Sequence, residues 1–154
     1  MASSEIYTEN KEALAIINKA NEIALKSSQN QTFKNLIIYD IYKKQYIFKD
    51  LIRDKSKLIL MFSDSDCSFH AEHILKYIEM YENEIEVSNI ILLGNFIDEH
   101  AFSVFVRLNP KIRQKIYNIG SSNLGLPVDS LDLPYLFVTN EYLKPSNVFV
   151  PLKE

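Results

Sequence analysis

One cysteine, Cys67, is all the chain holds, so it cannot close an internal disulfide. No apolar run approaches the ~20 residues of a membrane-spanning helix. The opening Met1–Glu5 lacks the apolar stretch of a secretory signal. The expectation is therefore a cytoplasmic protein, or one whose export or anchor segment lies outside this chain. A single cysteine suits either compartment. Excess positive charge is also missing. Lysines and arginines number 17 against 20 aspartates and glutamates, a net charge of −3. That leaves no global electrostatic case for nucleic acid or an anionic membrane as a partner. The nearest approach to a basic patch, Arg107, Lys111, Arg113 and Lys115, reads as a solvated turn. Internal repeats and low-complexity stretches are absent. So is the G-x-S-x-G pattern of a serine nucleophile elbow.

What is present is core-forming material. Hydrophobic residues make up 47% and aromatics 12% of 154 residues, which excludes a disordered chain and suits one domain. The nine tyrosines and nine phenylalanines read as core and interface mass. Residues 10–28 carry Ala13, Ile16, Ile17, Ala20, Ile23 and Ala24 at 3/4 spacing, an amphipathic helix. A polar linker, Ser27–Thr32, follows. Leu36–Tyr39 and Gln45–Phe48 read as a hairpin turning near Lys43 and Lys44. A turn over Leu51–Lys57 leads to the apolar run Leu58–Phe62, a buried strand. A helix over about Ser68–Glu82 and the strand Asn89–Leu93 complete a βαβ unit, which implies a parallel pair. Asp98 is placed to cap a helix over Glu99–Leu108, stopped by Asn109 and Pro110. A short strand at Lys115–Ile119, a long loop over Gly120–Asp132, and a closing antiparallel hairpin of Tyr135–Val138 with Asn147–Val150 finish the chain. The fold class is α/β: a mixed central sheet with flanking helices. Residues 1–33 form an N-terminal helix and linker, and residues 34–154 the main domain.

Cys67 sits where strand passes to helix. Free backbone N–H groups and the helix dipole favour a thiolate at such a junction. His70 is at i+3, a neighbour on the same helical face, and a protonated imidazole there adds to the effect. Asp64 and Asp66 act in the opposite sense, since a nearby carboxylate raises a thiol pKa. One such charge at ~5 Å and an effective dielectric of ~20 is worth about 3 kcal/mol, and far less when exposed. The signs conflict, so the residues alone leave the thiol pKa open. Cys67, His70 and His73 also spell C-x2-H-x2-H, but the i+6 position has rotated off the shared face. No metal site and no cofactor are expected. His73 and His100 read as surface histidines.

The order of elements, with a cysteine at the first βα junction, resembles the thioredoxin fold. Two motifs carry the resemblance. Cys67 and His70 align with the first and second cysteines of the family's Cys-x-x-Cys, with Asp66 where the family has tryptophan. Leu133 and Pro134, followed by Tyr135–Val138, match the cis-proline that opens the family's closing hairpin and faces the active-site cysteine. The likeness covers residues 34–150 and is similar to thioredoxin-like proteins of the bacterial cell envelope, which carry an N-terminal lipid or membrane anchor. It implies protein or small-molecule thiols and disulfides as partners. Cys67 would be the nucleophile, His70 its tuner, Asp64 and Asp66 modulators of its pKa, and Leu133 and Pro134 the substrate groove. His70 replaces the resolving cysteine, so a dithiol cycle is not available. A peroxidatic reading would need an arginine such as Arg107 or Arg113, and position 64 is aspartate rather than the threonine of that family. The alternative from another class is a non-catalytic domain that uses the same groove to bind a protein partner. The family's final helix is missing at the end of the chain. The helix over 10–28 is therefore expected to cover the sheet in its place, or to pack on a second copy in a homodimer.

Overall fold

A computed structural model describes residues 18–29, 31–52, 56–63, 76, 78–80, 85–131, 134–140 and 142–150. Its strands are β1 Ile37–Tyr39, β2 Gln45–Ile47, β3 Lys57–Ser63, β4 Ile90–Asn95, β5 Lys115–Asn118, β6 Tyr135–Thr139 and β7 Pro145–Phe149. They form one mixed sheet in the order β2-β1-β5-β4-β3-β6-β7. β3, β4 and β5 run parallel, as the βαβ reading requires. β6 lies antiparallel to β3 on one side, and β1 meets β5 through a single antiparallel pair, Tyr39 with Asn118.

The continuous apolar run of β3 is explained by burial on both sides. Ile59 and Met61 enter one hydrophobic cluster, while Leu58, Leu60 and Phe62 enter another. Because alternate residues of a strand point to opposite faces, the two clusters are the two faces of the sheet. On one face lie Ile78 and the helix Glu99–Leu108, whose Phe102 and Phe105 point inward. Asp98 caps that helix by accepting from the Ala101 N–H at 2.8 Å, as its sequence position predicts. Gly94 on β4 lets this face close. A Cβ there would stand 2.9 Å from Phe62 Cζ and collide with the Phe96 ring.

The other face is covered by the helix of residues 18–27, through Ala20 and Ala24. Its end is tied down by two adjacent hydroxyls. Ser27 Oγ donates to Ile23 O and accepts from Val128 N at 2.9 Å. Ser28 Oγ accepts from Val148 N at 3.0 Å. The helix thus packs on the sheet, on the face opposite Ile78. Its first part, residues 10–17, lies outside the described residues.

The strands begin and end within two residues of the sequence reading, and two segments take a different form. The strand expected to run through Phe48 ends at Ile47, and Phe48–Leu51 forms one helical turn. The turn is set by Phe48, whose ring packs 5.5 Å from Phe33, and by Asn35 Oδ1, which accepts from Lys49 N. Within the loop expected over 120–132, Pro127–Leu131 forms a 3-10 helix. In the closing hairpin, Leu136 pairs with Phe149 but Val138 with Ser146, so β7 carries one extra residue. Asn147 absorbs it at φ +52°, a conformation an asparagine tolerates better than most side chains.

Candidate functional site at the carboxyl ends of the parallel strands

β3 and β4 end side by side, with Ser63 opposite Asn95. Tyr135, the first residue of β6, pairs with Met61. Continuing that antiparallel register by one residue sets Pro134, which is half-buried, across from Phe62. The strand that leads to Cys67 and the proline that opens β6 therefore come to the same end of the sheet. In open α/β sheets this carboxyl end is where ligands are bound.

A cleft of about 290 Å³ opens there, lined by Met61, Ser63, Asn95, Ser122, Asp129 and Tyr135 among others. Its walls are held by side-chain amides. Asn95 Nδ2 donates to the carbonyls of Gly120 and Ser122, drawing the loop after β5 over the strand ends. Asn118 Oδ1 accepts from Phe96 N and Gly120 N. Gly120 sits at φ +64°, a left-handed turn that a side chain would strain.

The floor is a tyrosine–aspartate pair. Tyr135 is 1% exposed, and its hydroxyl donates to Asp129 Oδ1 at 2.7 Å. Asp129 Oδ2 accepts from Leu126 N at 2.9 Å. Burial, with the Asp129 charge and hydrogen bond behind it, pushes the Tyr135 hydroxyl far above its ordinary range. The hydroxyl is thus a fixed, neutral donor, and the aspartate is oriented through both oxygens. The arrangement suits a polar, hydrogen-bonding ligand at the mouth of the strands.

Of the residues singled out from sequence, Asp64, Asp66, Cys67, His70, His73 and Leu133 lie outside the described residues, and with Leu133 so does the Leu133–Pro134 peptide bond. Among the described residues no peptide bond is cis. Arg107, Arg113 and His100 are exposed. No group of histidine, aspartate or glutamate side chains among the described residues is arranged to hold a metal ion. No described helix is long and apolar enough to cross a membrane. Sequence reasoning missed Asn95, Asn118, Asp129 and Tyr135. The usable signal was positional: each polar group falls within a few residues of a strand end on the side of the sheet where β3 ends at Ser63.

No protein-family model matches the chain, and no curated protein matches it. Solved structures do. The chain is similar to a thiol-disulfide oxidoreductase from Bacteroides fragilis NCTC 9343 (TM-score 0.56, 14% identity, 79% of this chain and 92% of that one). It is similar to the thioredoxin domain of a thiol-disulfide oxidoreductase from Bacteroides vulgatus (0.52, 11%, 80% and 88%). It is also similar to reduced Prx3 from Vibrio vulnificus (0.56, 10%, 82% and 88%). At these identities the likeness shows the fold, which is thioredoxin-like. It is shared with thiol-disulfide oxidoreductases and with peroxiredoxin-like proteins.

Proposed function

We propose that the chain is a single-thiol thioredoxin-fold protein acting in thiol–disulfide exchange or thiol recognition, with Cys67 as the reacting thiol. The observation that supports this is the convergence of Ser63, at the end of β3, and Tyr135, the residue after Pro134, on one polar cleft. Cys67 is four residues beyond Ser63, so chain geometry alone keeps their Cα atoms within about 14 Å. In this reading His70 stabilises the thiolate while Asp64 and Asp66 oppose it. Leu133 and Pro134 present backbone to an extended substrate, and the fixed Tyr135–Asp129 pair holds the opening of β6 in place. The degenerate Cys-x-x-His pattern and the likeness to cell-envelope proteins belong to the same proposal.

The exchange step balances with one cysteine only if a second thiol is supplied. The Cys67 thiolate attacks one sulfur of a substrate disulfide, forming a mixed disulfide and releasing the other sulfur as a thiolate. An external thiol then attacks the mixed disulfide and regenerates Cys67. Alone, the protein should stall after the first half. The test has two arms. Iodoacetamide alkylation of Cys67 against pH should show a midpoint below the ~8.5 of a free thiol. Insulin reduction with a dithiol reductant should be slow in the wild type and faster in His70→Cys, which restores a resolving sulfur at i+3. A midpoint above that of a free thiol favours the alternative, a non-catalytic domain binding a protein partner in the same groove. Equal turnover by wild type and variant defeats the resolving-thiol argument.

A further inference from the structure

A second cleft, of about 620 Å³, lies at the other end of the sheet. That is within the ~300–1,000 Å³ of ligand pockets. It exists because β1 and β5 share only the Tyr39–Asn118 pair. Beyond that pair the turn after β1 splays away from the amino-terminal half of β5. Tyr42, Tyr46 and Tyr117 line one side of the gap and Val106, Ile112 and Ile116 the other.

The exposed edge of β5 faces into this gap. Ile119 N donates to Gly94 O, so alternate residues 117 and 119 turn their backbone groups toward β4. The N–H and C=O of Ile116 therefore point outward into the cleft. Among the described residues neither has a hydrogen-bond partner. A donor and an acceptor on one residue, with apolar walls above and below the strand, is the arrangement that takes up an added strand.

Charge specifies the partner. Arg107, Lys111 and Lys115 are exposed on the segment that forms one rim. Asp40, the acidic residue in the lining, offsets one of these three positive charges, and its oxygens are occupied. Its Oδ1 accepts from Tyr42 N and Lys44 N at 2.9 Å each, and its Oδ2 from the Tyr46 hydroxyl. The rim is thus locally basic on a chain of net charge −3.

We infer that this cleft binds an extended, acidic segment of a protein partner, which adds to the sheet as a strand beside β5. The peptide backbone pairs with Ile116. Alternate side chains fall between the tyrosines on one face and Val106 and Ile112 on the other, and acidic groups meet Lys111 and Lys115.

The test is fluorescence anisotropy with the full chain and three labelled peptides. One alternates glutamate with valine over eight residues, the second is the same peptide N-methylated at alternate amides, and the third replaces glutamate by lysine. The first should bind saturably and weaken as salt rises. N-methylation removes the backbone donors and should weaken binding about tenfold. The lysine peptide should show no saturable binding, and Lys111→Glu with Lys115→Glu, both on exposed residues, should weaken the glutamate peptide. Amide exchange at Ile116 should slow on binding. If the N-methylated or the lysine peptide binds as well as the first, or the first does not bind saturably, the inference is overturned.

Discussion

The two faces of the sheet are held by different chemistry. The face that carries Ile78 and the helix Glu99–Leu108 is a cluster of phenylalanines. Phe96 stacks on Phe102 at 4.8 Å, meets Phe62 edge-on at 5.7 Å and tilts against Phe105 at 5.3 Å. The face covered by residues 18–27 mixes apolar packing with buried polar ties: Ser27 to Val128, Ser28 to Val148, Tyr135 to Asp129. Among the described residues the first face is joined chiefly by ring packing. The other is joined at named hydrogen bonds between segments 101 and 120 residues apart in sequence. The first should yield to loss of volume and ignore pH. The second should yield to loss of single polar atoms and respond to alkali.

The largest effect is expected on the phenylalanine face. Phe96 is 2% exposed and touches three other rings. Phe96→Ala removes a ring that its neighbours cannot replace, at a cost of about 3–5 kcal/mol. Urea denaturation should show the midpoint falling with the slope unchanged. A loss under 1 kcal/mol would mean that this face repacks freely and is not a shape-determined core.

On the other face the corresponding break is a hydroxyl. Ser27 is 0% exposed and accepts the Val128 N–H. Ser27→Ala leaves that donor buried and unsatisfied, which costs about 1–3 kcal/mol. Ser27→Thr keeps the oxygen and isolates the hydrogen bond from the general effect of substitution. If the alanine variant is as stable as the wild type, the helix is held by Ala20 and Ala24 packing and the serine tie is incidental.

This difference was half legible in the sequence. The phenylalanine face was readable because local periodicity encodes it: Leu58–Phe62 as a two-sided strand, and Phe102 and Phe105 inside a helix with its own Asp98 cap. The hairpins were readable because turn and strand lie next to each other. The serine face was not. Ser27 read as the start of a polar linker, since nothing local reveals that Val128, 101 residues away, presents an unpaired N–H to it. Asp129 was lost inside a loop for the same reason, because its partner Tyr135 lies across the 3-10 turn. At the candidate site, the sequence marked Pro134 from a motif, and in the structure it immediately precedes β6, whose first pair is Tyr135 with Met61. The polar cleft beside it is made by side chains from β3, β4, the 3-10 helix and β6, and no single stretch of sequence spells it.

The smallest effect is the pH response, and it belongs to the serine and tyrosine face alone. Tyr135 in the folded state holds its proton far above 10.0, the value for an unperturbed tyrosine, because burial and the Asp129 carboxylate both oppose tyrosinate. In the unfolded chain the same group ionises near ~10. The folded state therefore binds more protons than the unfolded state above that pH, and stability falls as pH rises. The contribution is fully present below pH ~10 and is lost progressively above it. One unit higher, at pH ~11, the loss from this group is about 1.4 kcal/mol. Tyr117, raised by burial and by its neighbours Tyr46 and Asp40, responds in the same direction. Urea midpoints measured from pH 9 to 11 should thus decline more steeply in the wild type than in Tyr135→Phe. A control on the opposite face, Phe102→Leu, should keep the wild-type slope while lowering stability at every pH. Equal slopes in wild type and Tyr135→Phe would show that alkali reaches the Tyr135 hydroxyl in the folded protein, and the division of labour between the two faces would then not hold.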